Sequence, residues 1–591
     1  YNISDNDRLF VRYSYLGALL DDPAIFGVAG GPSAIGSNGE VGHYANQLAA
    51  INYTHTFSPS LLMEGRIGLT RFALTGYQAD VGNKTNDQVG ILGINTDDAL
   101  TQGLAGISVN GPVGGFTMGD PSGQGLPRLN YETQFEFVNN WTKIAGNHQL
   151  RFGIDVIRER ENFLTVNESS RGNFVFSQLI TQDAGIPGTG LGMGTFLLGQ
   201  PSEFDRAVFS QMPAERDTRV SPYIQDNWHF SQKLTINLGL RYDYIGNSTP
   251  AFAGGGVNFD PSTGNLLLSG LGQVSRTANI RPNWKNFEPR IGFAYRVLSN
   301  TVVRAGFGRS YFSSNYGGGV FGTLCCSFPV QTREDVNQVN SYFPIVLPGQ
   351  NTGFAFNPNQ PLPPAPLPVL PQSGLLPLPQ GLGAFYIPFH NPNSYVDSWN
   401  FTVEHQLAGN FDVSLAYVGN VGRHIYQSWN LNSAIPGPGP VNSRRPLDPL
   451  GIDTSVSQRC GCANSNYNAL QFVVKRRFNS NYSFQSNFTW SKALDQPFGG
   501  FSGGTLNPYD RNASYAPDNN NRAVVWTLAH EWRLPYGKDQ RWGSNAPAVA
   551  QAVVGGWVFN GITTVMSGLP VFIGWSDTSS LNNGGDFGQR P

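Results

Sequence analysis

Cysteine and histidine are the residues of this sequence that could hold a metal ion or form a covalent link. The eight histidines are scattered, and no two have the spacing that puts two ligands on one face of a helix. The four cysteines form two tight pairs, Cys325 with Cys326 and Cys460 with Cys462. Neither pair has the about two to four intervening residues that structural zinc sites use. We therefore expect no metal and no cofactor.

The same cysteines are expected to form one or two disulfides that tie two loops together in an oxidising compartment. Cys325 follows the strand-like segment 301–312, and the second pair follows the segment 411–424. Both loops leave the same end of their strands, so we predict a disulfide between Cys325 and Cys460 or Cys462. A metal site is the less favoured alternative.

The sequence offers little for catalysis. The stretch GTGLGMG (188–194) resembles a glycine-rich phosphate loop, but no Lys-Ser or Lys-Thr follows it. No Gly-x-Ser-x-Gly nucleophile elbow is present. The carboxylate pairs Asp21–Asp22 and Asp97–Asp98 lie in loops rich in Gly and Asn, where solvated charge is favoured over calcium binding. We predict that the protein is not an enzyme.

Composition narrows the class of protein that these residues belong to. Charged residues make up 13% of the chain, about half of the roughly 25% of soluble domains, yet the mean hydropathy is only -0.25. No apolar run reaches the ~18 residues of a membrane-spanning helix. A net charge of -2 leaves no basic footprint for nucleic acid. This combination is typical of a wall with lipid on one side and water on the other.

Strand-like segments occur in pairs that are joined by very short polar turns, and long loops separate the pairs. The paired segments are 47–57 with 61–75, 131–142 with 148–161, 221–231 with 234–245, 288–298 with 301–312, 397–407 with 411–424, and 466–478 with 482–493. In all, we count about 15 strands from 8–16 through 557–566, most of them long enough to cross a bilayer at a tilt. Short turns on one side and long loops on the other indicate an all-β fold, a large antiparallel transmembrane β-barrel with periplasmic turns and extracellular loops.

Apolar and polar residues alternate within these segments. In PRIGFAYRV, Ile291 and Phe293 fall on one face, opposite Arg290 and Arg296. This period of two fits lipid outside and water inside, because charge on the lipid face costs about 2–4 kcal/mol near the bilayer middle. The charged residues that we predict on the lumen side are Glu64, Arg66, Arg151, Asp155, Arg241, Asp243, Arg290, Arg296, Arg304, Glu404, Lys475 and Arg477. They line a substrate path, contact a plug or pair with one another.

Several segments resemble TonB-dependent outer-membrane receptors, in particular their Oar-like group. The segment YIQDNWHFSQKLTINLGLRYDYIG (223–246) looks like a signature of these receptors. The segments that match the same group are NDRLFVRYSYL (6–16), NNWTKIAGNHQLRFGIDVIRERENF (139–163), NSYVDSWNFTVEHQL (393–407), NALQFVVKRRF (468–478), VMSGLPVFI (565–573) and DFGQRP (586–591). In this order the motifs span nearly the whole chain.

The resemblance implies a barrel of about 22 strands, blocked by an N-terminal plug and driven by TonB, in the outer membrane of a Gram-negative-type bacterium. It implies no catalytic residue. Outer-membrane lipid, the TonB complex and an unknown extracellular ligand are the implied partners. We therefore expect residues 1–591 to be one transmembrane β-barrel domain, incomplete at both ends and without its plug.

The expected function is uptake or binding of a large nutrient, of the siderophore, oligosaccharide or peptide class. A passive porin-like channel and a structural or adhesive surface protein are the alternatives, and a secreted all-β enzyme is the weakest one. The topology places Ser60, Gly409 and Ser480 in turns on the periplasmic side, and Ser269 and Gly374 in loops outside the cell.

Overall fold

One large antiparallel sheet dominates the structure, a computed structural model. It describes residues 1–27, 40–111, 114–119, 126–165, 170–183, 185–186, 188–209, 212–312, 327–338, 345–350, 360–479, 481–496, 509–538 and 540–571. The described sheet has 19 strands, four of which are short additions beside long ones. The long strands are β1 Asp7–Asp21, β2 Glu40–Ser58, β3 Leu61–Gln78, β4 Arg128–Ala145, β5 His148–Thr165, β6 Ala214–Trp228, β7 Leu234–Tyr242, β8 Phe287–Leu298, β9 Thr301–Phe312, β10 Ser394–Leu407, β11 Phe411–Asn430, β12 Val456–Asn479, β13 Tyr482–Asp495, β14 Val524–Arg533 and β15 Val558–Met566.

Each of the long strands β2 to β14 pairs with the long strand that precedes it and the long strand that follows it in the chain. This up-and-down order, with strands of the predicted number, confirms the prediction of a large antiparallel barrel sheet. The strands extend further toward the long loops than the alternation indicated. β12, for example, begins at Val456, ten residues before the predicted segment.

Short connections lie at one end of the sheet, as predicted. Gly146 (φ 58°) and Gly409 (φ 80°) adopt left-handed conformations in their turns, which glycine does without steric cost. The connection between β14 and β15 is the exception, because residues 534–557 include the helix Ala548–Val554 at this end. The opposite end carries the long loops.

The alternation of the sequence gives the sheet two different faces. Ile67 on β3 is 61% exposed and Ile291 on β8 is 54% exposed, although side chains of this type are usually buried in soluble proteins. The register keeps such residues on one continuous face: Ile67 lies opposite Phe137, and Phe137 lies opposite Val156. We call this the apolar face and the other the charged face. A wide exposed apolar face is what a lipid-facing wall requires.

The buried hydrophobic core lies in the long loops, which form a folded layer at one end of the sheet. One cluster of buried side chains, including Phe174, Phe176 and Phe204, packs on a five-stranded sheet. A second cluster, including Phe259 and Leu268, packs on a three-stranded sheet. The strands of these sheets are Gly106–Val109, Phe116–Met118, Asn173–Phe176, Glu203–Phe209 and Gln331–Asn337, then Val257–Asp260, Asn265–Leu268 and Leu375–Pro377. We call this assembly the loop layer.

Candidate functional site: the charged face of the sheet

The register brings the predicted lumen residues onto a single face. Arg66 on β3 and Asp155 on β5 both lie opposite Val138 of β4, so that the three share one row. The same row-by-row relation continues through β15. The residues that fall on this charged face are Glu64, Arg66, Arg151, Asp155, Arg241, Asp243, Arg290, Arg296, Arg304, Glu404 and Lys475. The side chain of Arg477 lies outside the described part of the chain.

Several of these residues neutralise one another across or along the strands. Ion pairs join Arg66 to Glu136 (Nη2–Oε1 2.7 Å), Arg241 to Asp243 (Nε–Oδ1 2.6 Å) and Arg304 to Glu404 (Nη2–Oε2 3.2 Å). A fourth pair, Arg290 with Glu288, is longer at 3.4 Å. Pairing of this kind lets the wall carry charge without a large net field.

Other charges on the same face remain available. Among the described residues, Glu64, Arg151, Arg296 and Lys475 form no ion pair, and all four side chains are exposed. Unpaired charges of both signs on an exposed wall can contact a passing solute or a plug through hydrogen bonds to charged groups.

A groove crosses the middle of the charged face. It has a volume of ≈ 410 Å³, and its floor contains Gly239, Gly292, Gly306 and Gly308. A Cβ atom at Gly292 would meet its nearest neighbour at 3.5 Å, an ordinary contact. At Gly239, Gly292 and Gly308 the glycine is therefore not enforced by crowding, whereas a Cβ at Gly306 would stand 3.2 Å from Asn400 Oδ1. The missing side chains leave the groove open. Its rim includes Arg290 and the amide side chains Gln225, Asn237 and Asn400.

Sequence reasoning missed this groove and also a row of carboxylates near the loop layer. Glu132 on β4 lies opposite Glu161 on β5, which lies opposite Glu215 on β6. Like charges in directly opposed positions repel one another. Glycine and glutamate at inward positions were both readable from the alternation, but their alignment depends on the register, which the sequence alone does not provide.

Above the charged face, buried ion pairs tie the loop layer together. Asp80 pairs with Arg171, and the two side chains are 3% and 1% exposed. Arg206 pairs with Glu334 at 2.5 Å. Burial raises the pKa of Glu203, and the nearby Asp205 carboxylate adds to the rise. These pairs join segments of the loop layer that are far apart in the sequence.

The structure places a disulfide between Cys460 and Cys462, with Cα atoms 5.4 Å apart. Both residues lie in β12, at a bulge where consecutive residues of β11, Ile425 and Tyr426, oppose Ala463 and Gly461. The predicted bond from Cys325 to one of these cysteines is therefore wrong, because the two partners in the second pair bond to each other. Cys325 and Cys326 lie outside the described residues.

Among the described residues, no three His, Cys, Asp or Glu side chains stand together in an arrangement that could hold a metal ion. No helix in the part of the chain that the structure describes is long and apolar enough to cross a membrane.

A wall with an apolar face, a charged face and folded loops at one end defines the class of outer-membrane β-barrels. The chain matches the family model described as outer membrane beta barrel domain over residues 1–591, and it belongs to this family. The expected location in the outer membrane is thereby confirmed.

Two known proteins extend the comparison. The chain is 26% identical to the TonB-dependent transporter Oar of Myxococcus xanthus over 251 residues, which are 38% of this chain and 22% of Oar. It also resembles the solved outer membrane transporter YddB from Escherichia coli, with a TM-score of 0.52 and 11% identity, over 99% of this chain and 58% of YddB. At this identity, the second likeness shows the fold alone. The chain spans less than two thirds of the length of either protein.

Proposed function

We propose that this chain forms a large part of the wall of a TonB-dependent receptor that takes up or binds a large nutrient at the cell surface. The observation that carries the proposal is the alignment of 251 residues with a protein named as a TonB-dependent transporter. The fold supports it, because a wide wall with a charged inner face encloses a lumen that a large solute can enter.

The charged face supplies the contacts that such a path needs. Exposed charges such as Arg151 and Lys475 alternate with neutral ion pairs. A solute therefore meets charges of both signs but no single site that would bind it strongly. The groove floored by Gly239, Gly292, Gly306 and Gly308 gives a recess of ≈ 410 Å³ in the wall. We propose that this recess receives part of a plug or of the moving solute.

Further strands and a plug belong to the same proposal. Among the described long strands, β1 pairs only with β2 and β15 pairs only with β14. An unpaired strand edge in lipid leaves backbone groups without hydrogen bonds, at a cost of several kcal/mol each. We propose that additional strands close the barrel, and that a plug fills a lumen of about 22 strands.

The test compares cells that express the complete gene with and without TonB. Three labelled probes represent the candidate nutrient classes: a ferric siderophore, an oligosaccharide and an oligopeptide. We expect accumulation of at least one probe, and its loss when TonB is removed. Accumulation that persists without TonB, together with ion conductance in planar bilayers, would support the porin-like channel instead. Cell adhesion without accumulation of any probe would support the adhesive alternative.

A pair of matched variants links uptake to the charged face. Gly292→Phe fills the groove, whereas Gly65→Phe adds the same ring on the apolar face of β3, where a Cβ meets nothing closer than 3.9 Å. We expect Gly292→Phe to reduce accumulation and Gly65→Phe to leave it unchanged. Equal accumulation by both variants, at equal amounts of folded protein, would remove the groove from the proposal.

A further inference from the structure

Four arginines on β3, β5 and β6 lie close together on the apolar face, where charge is unexpected. Arg71 on β3 and Arg160 on β5 both lie opposite Thr133 of β4, and Arg160 lies opposite Arg216 on β6. Arg158 follows on the same face, two residues nearer the turn. The four side chains thus form a patch across neighbouring strands, which we call the arginine patch.

The patch has almost no negative charge to balance it on its own face. Among the described side chains that β3 to β6 place on the apolar face, the single carboxylate is Asp226. It lies ten residues from Arg216 along β6 and pairs with His148 at 2.7 Å. The carboxylates between the arginines in sequence, Glu159 and Glu161, fall on the charged face instead. On the apolar face of the described strands β3 to β6, these four cations thus have no carboxylate beside them.

The arginine patch lies where the lipid-facing band ends. Leu150 is the first apolar residue of this face after the turn, and Arg160 follows it by ten positions along β5. At ~3.3 Å per residue and a tilt of about 35–45°, ten residues span roughly the ~25 Å height of the apolar band of such barrels. Phe152, Ile154 and Val156 occupy the positions between. The patch therefore sits at the interface on the side of the long loops.

The contacts of these arginines leave most of their hydrogen-bond donors unused. Arg158 Nη1 donates to Thr218 Oγ1 at 2.6 Å, and Arg216 Nη1 donates to Asn162 Oδ1 at 3.0 Å. Arg160 lies over the Phe135 ring, 5.3 Å from its centroid. Because a guanidinium has five donors in a fixed fork, each side chain keeps donors for an external acceptor.

We propose that Arg71, Arg158, Arg160 and Arg216 bind the phosphate groups of lipids in the outer leaflet. The long loops lie outside the cell, so the end of the band beside them meets that leaflet. Phosphate oxygens accept the paired hydrogen bonds that arginine offers, and a doubly charged group offsets the repulsion among several arginines. Lipid headgroups are the phosphates that stand at this depth around the barrel. The proposal concerns the lipid side of the wall and holds for any transported nutrient.

The test measures binding of lipid A with its phosphates, and of dephosphorylated lipid A, to the full-length protein in a neutral detergent. We expect phosphorylated lipid A to bind and the dephosphorylated form to bind far more weakly. The variant R158Q/R160Q/R216Q should bind phosphorylated lipid A roughly 100-fold more weakly, since each basic residue near a charged lipid surface contributes a factor of about five. The control Arg151→Gln removes an exposed arginine from the other face of β5 and should leave the binding of phosphorylated lipid A as it is in the wild type.

A second variant distinguishes a loss of lipid binding from a folding defect. R158K/R160K/R216K keeps the charge and loses the fork, so we expect binding between that of the wild type and that of the glutamine variant. Equal binding of the two lipids, full binding by the glutamine variant, or an equal loss in Arg151→Gln would overturn the proposal. Displacement of lipid A by millimolar inorganic phosphate would also overturn it, because the patch would then be a site for free anions.

Discussion

Arg66 on β3 and Glu136 on β4 form an ion pair of 2.7 Å although they are not direct partners in the sheet. Arg66 lies opposite Val138, and its guanidinium reaches the carboxylate of Glu136, two residues along β4. The pair connects two neighbouring strands on the charged face. Both side chains are partly exposed, at 45% and 26%. The wall thus balances charge locally, because each of the two charges has an opposite charge beside it.

The strength of this pair can be measured with a double-mutant cycle on Arg66→Gln and Glu136→Gln. We expect a coupling of about 0.2–1 kcal/mol in unfolding by urea, because exposed pairs gain little over hydration. Added salt should reduce the coupling. The distant combination of Arg66→Gln with Arg304→Gln should be additive. A coupling near zero at low salt would contradict the pairing.

The buried pair of Asp80 with Arg171 should contribute more to stability than the exposed pair of Arg66 with Glu136. Asp80→Asn leaves a buried arginine without its carboxylate, which costs about 3–5 kcal/mol. We expect faster hydrogen exchange and proteolysis in the loop layer, with unchanged protection of the long strands. The matched control is Asp97→Asn, whose exposed carboxylate pairs with Lys84 at 3.0 Å and should have no measurable effect. Unchanged protection of the loop layer in Asp80→Asn would contradict this account.

The disulfide can be checked by peptide mapping without reduction. We expect Cys460 and Cys462 to be linked within one peptide and closed to alkylation until they are reduced. Because the closed loop is very short, Cys460→Ser should destabilise the protein by about 2 kcal/mol at most. A cross-linked peptide that joins Cys325 to either residue would restore the loop-to-loop bond that the sequence predicted.

Labelling of single cysteines on intact cells tests the orientation of the sheet. Ser60 and Gly409 lie in the short turns and should be closed to an impermeant reagent; the third predicted turn position, Ser480, lies outside the described residues. Ser269 and Gly374, which the sequence places in the outer loops, are both buried in the loop layer. The exposed Ser262 and Ser373 replace them and should be labelled. Labelling of the turns without labelling of the loops would reverse the orientation.

Much of the fold was readable from the sequence because a period of two and short polar turns are local signals. The strands Phe287–Leu298 and Thr301–Phe312 match their predicted segments almost to the residue. The start of β12 was not predicted, since VSQRCGCANS does not alternate and its pairing with β11 passes through a bulge. The local periodicity of a segment does not show which residues of the neighbouring strand it pairs with.

The site was predictable in part for the same reason. Alternation assigned Arg66 and Asp155 to one face of their own strands, and the register then joined those faces into one surface. The groove needs glycines of neighbouring strands to align, as Gly239 and Gly292 do. The arginine patch likewise needs Arg160 to align with an arginine of the next strand. The fold of the loop layer depends on contacts between distant loops, which no local pattern encodes.

The central claim is that the apolar face meets lipid and the charged face meets water. Single spin labels at successive positions of β8, from Arg290 to Val297, measure this directly in reconstituted bilayers. The account predicts that collision with lipid-soluble oxygen peaks at Ile291, Phe293 and Tyr295, and that collision with a water-soluble nickel chelate peaks at the positions between them. High chelate access and low oxygen access at every position would contradict the account, because both faces of the sheet would then be in water.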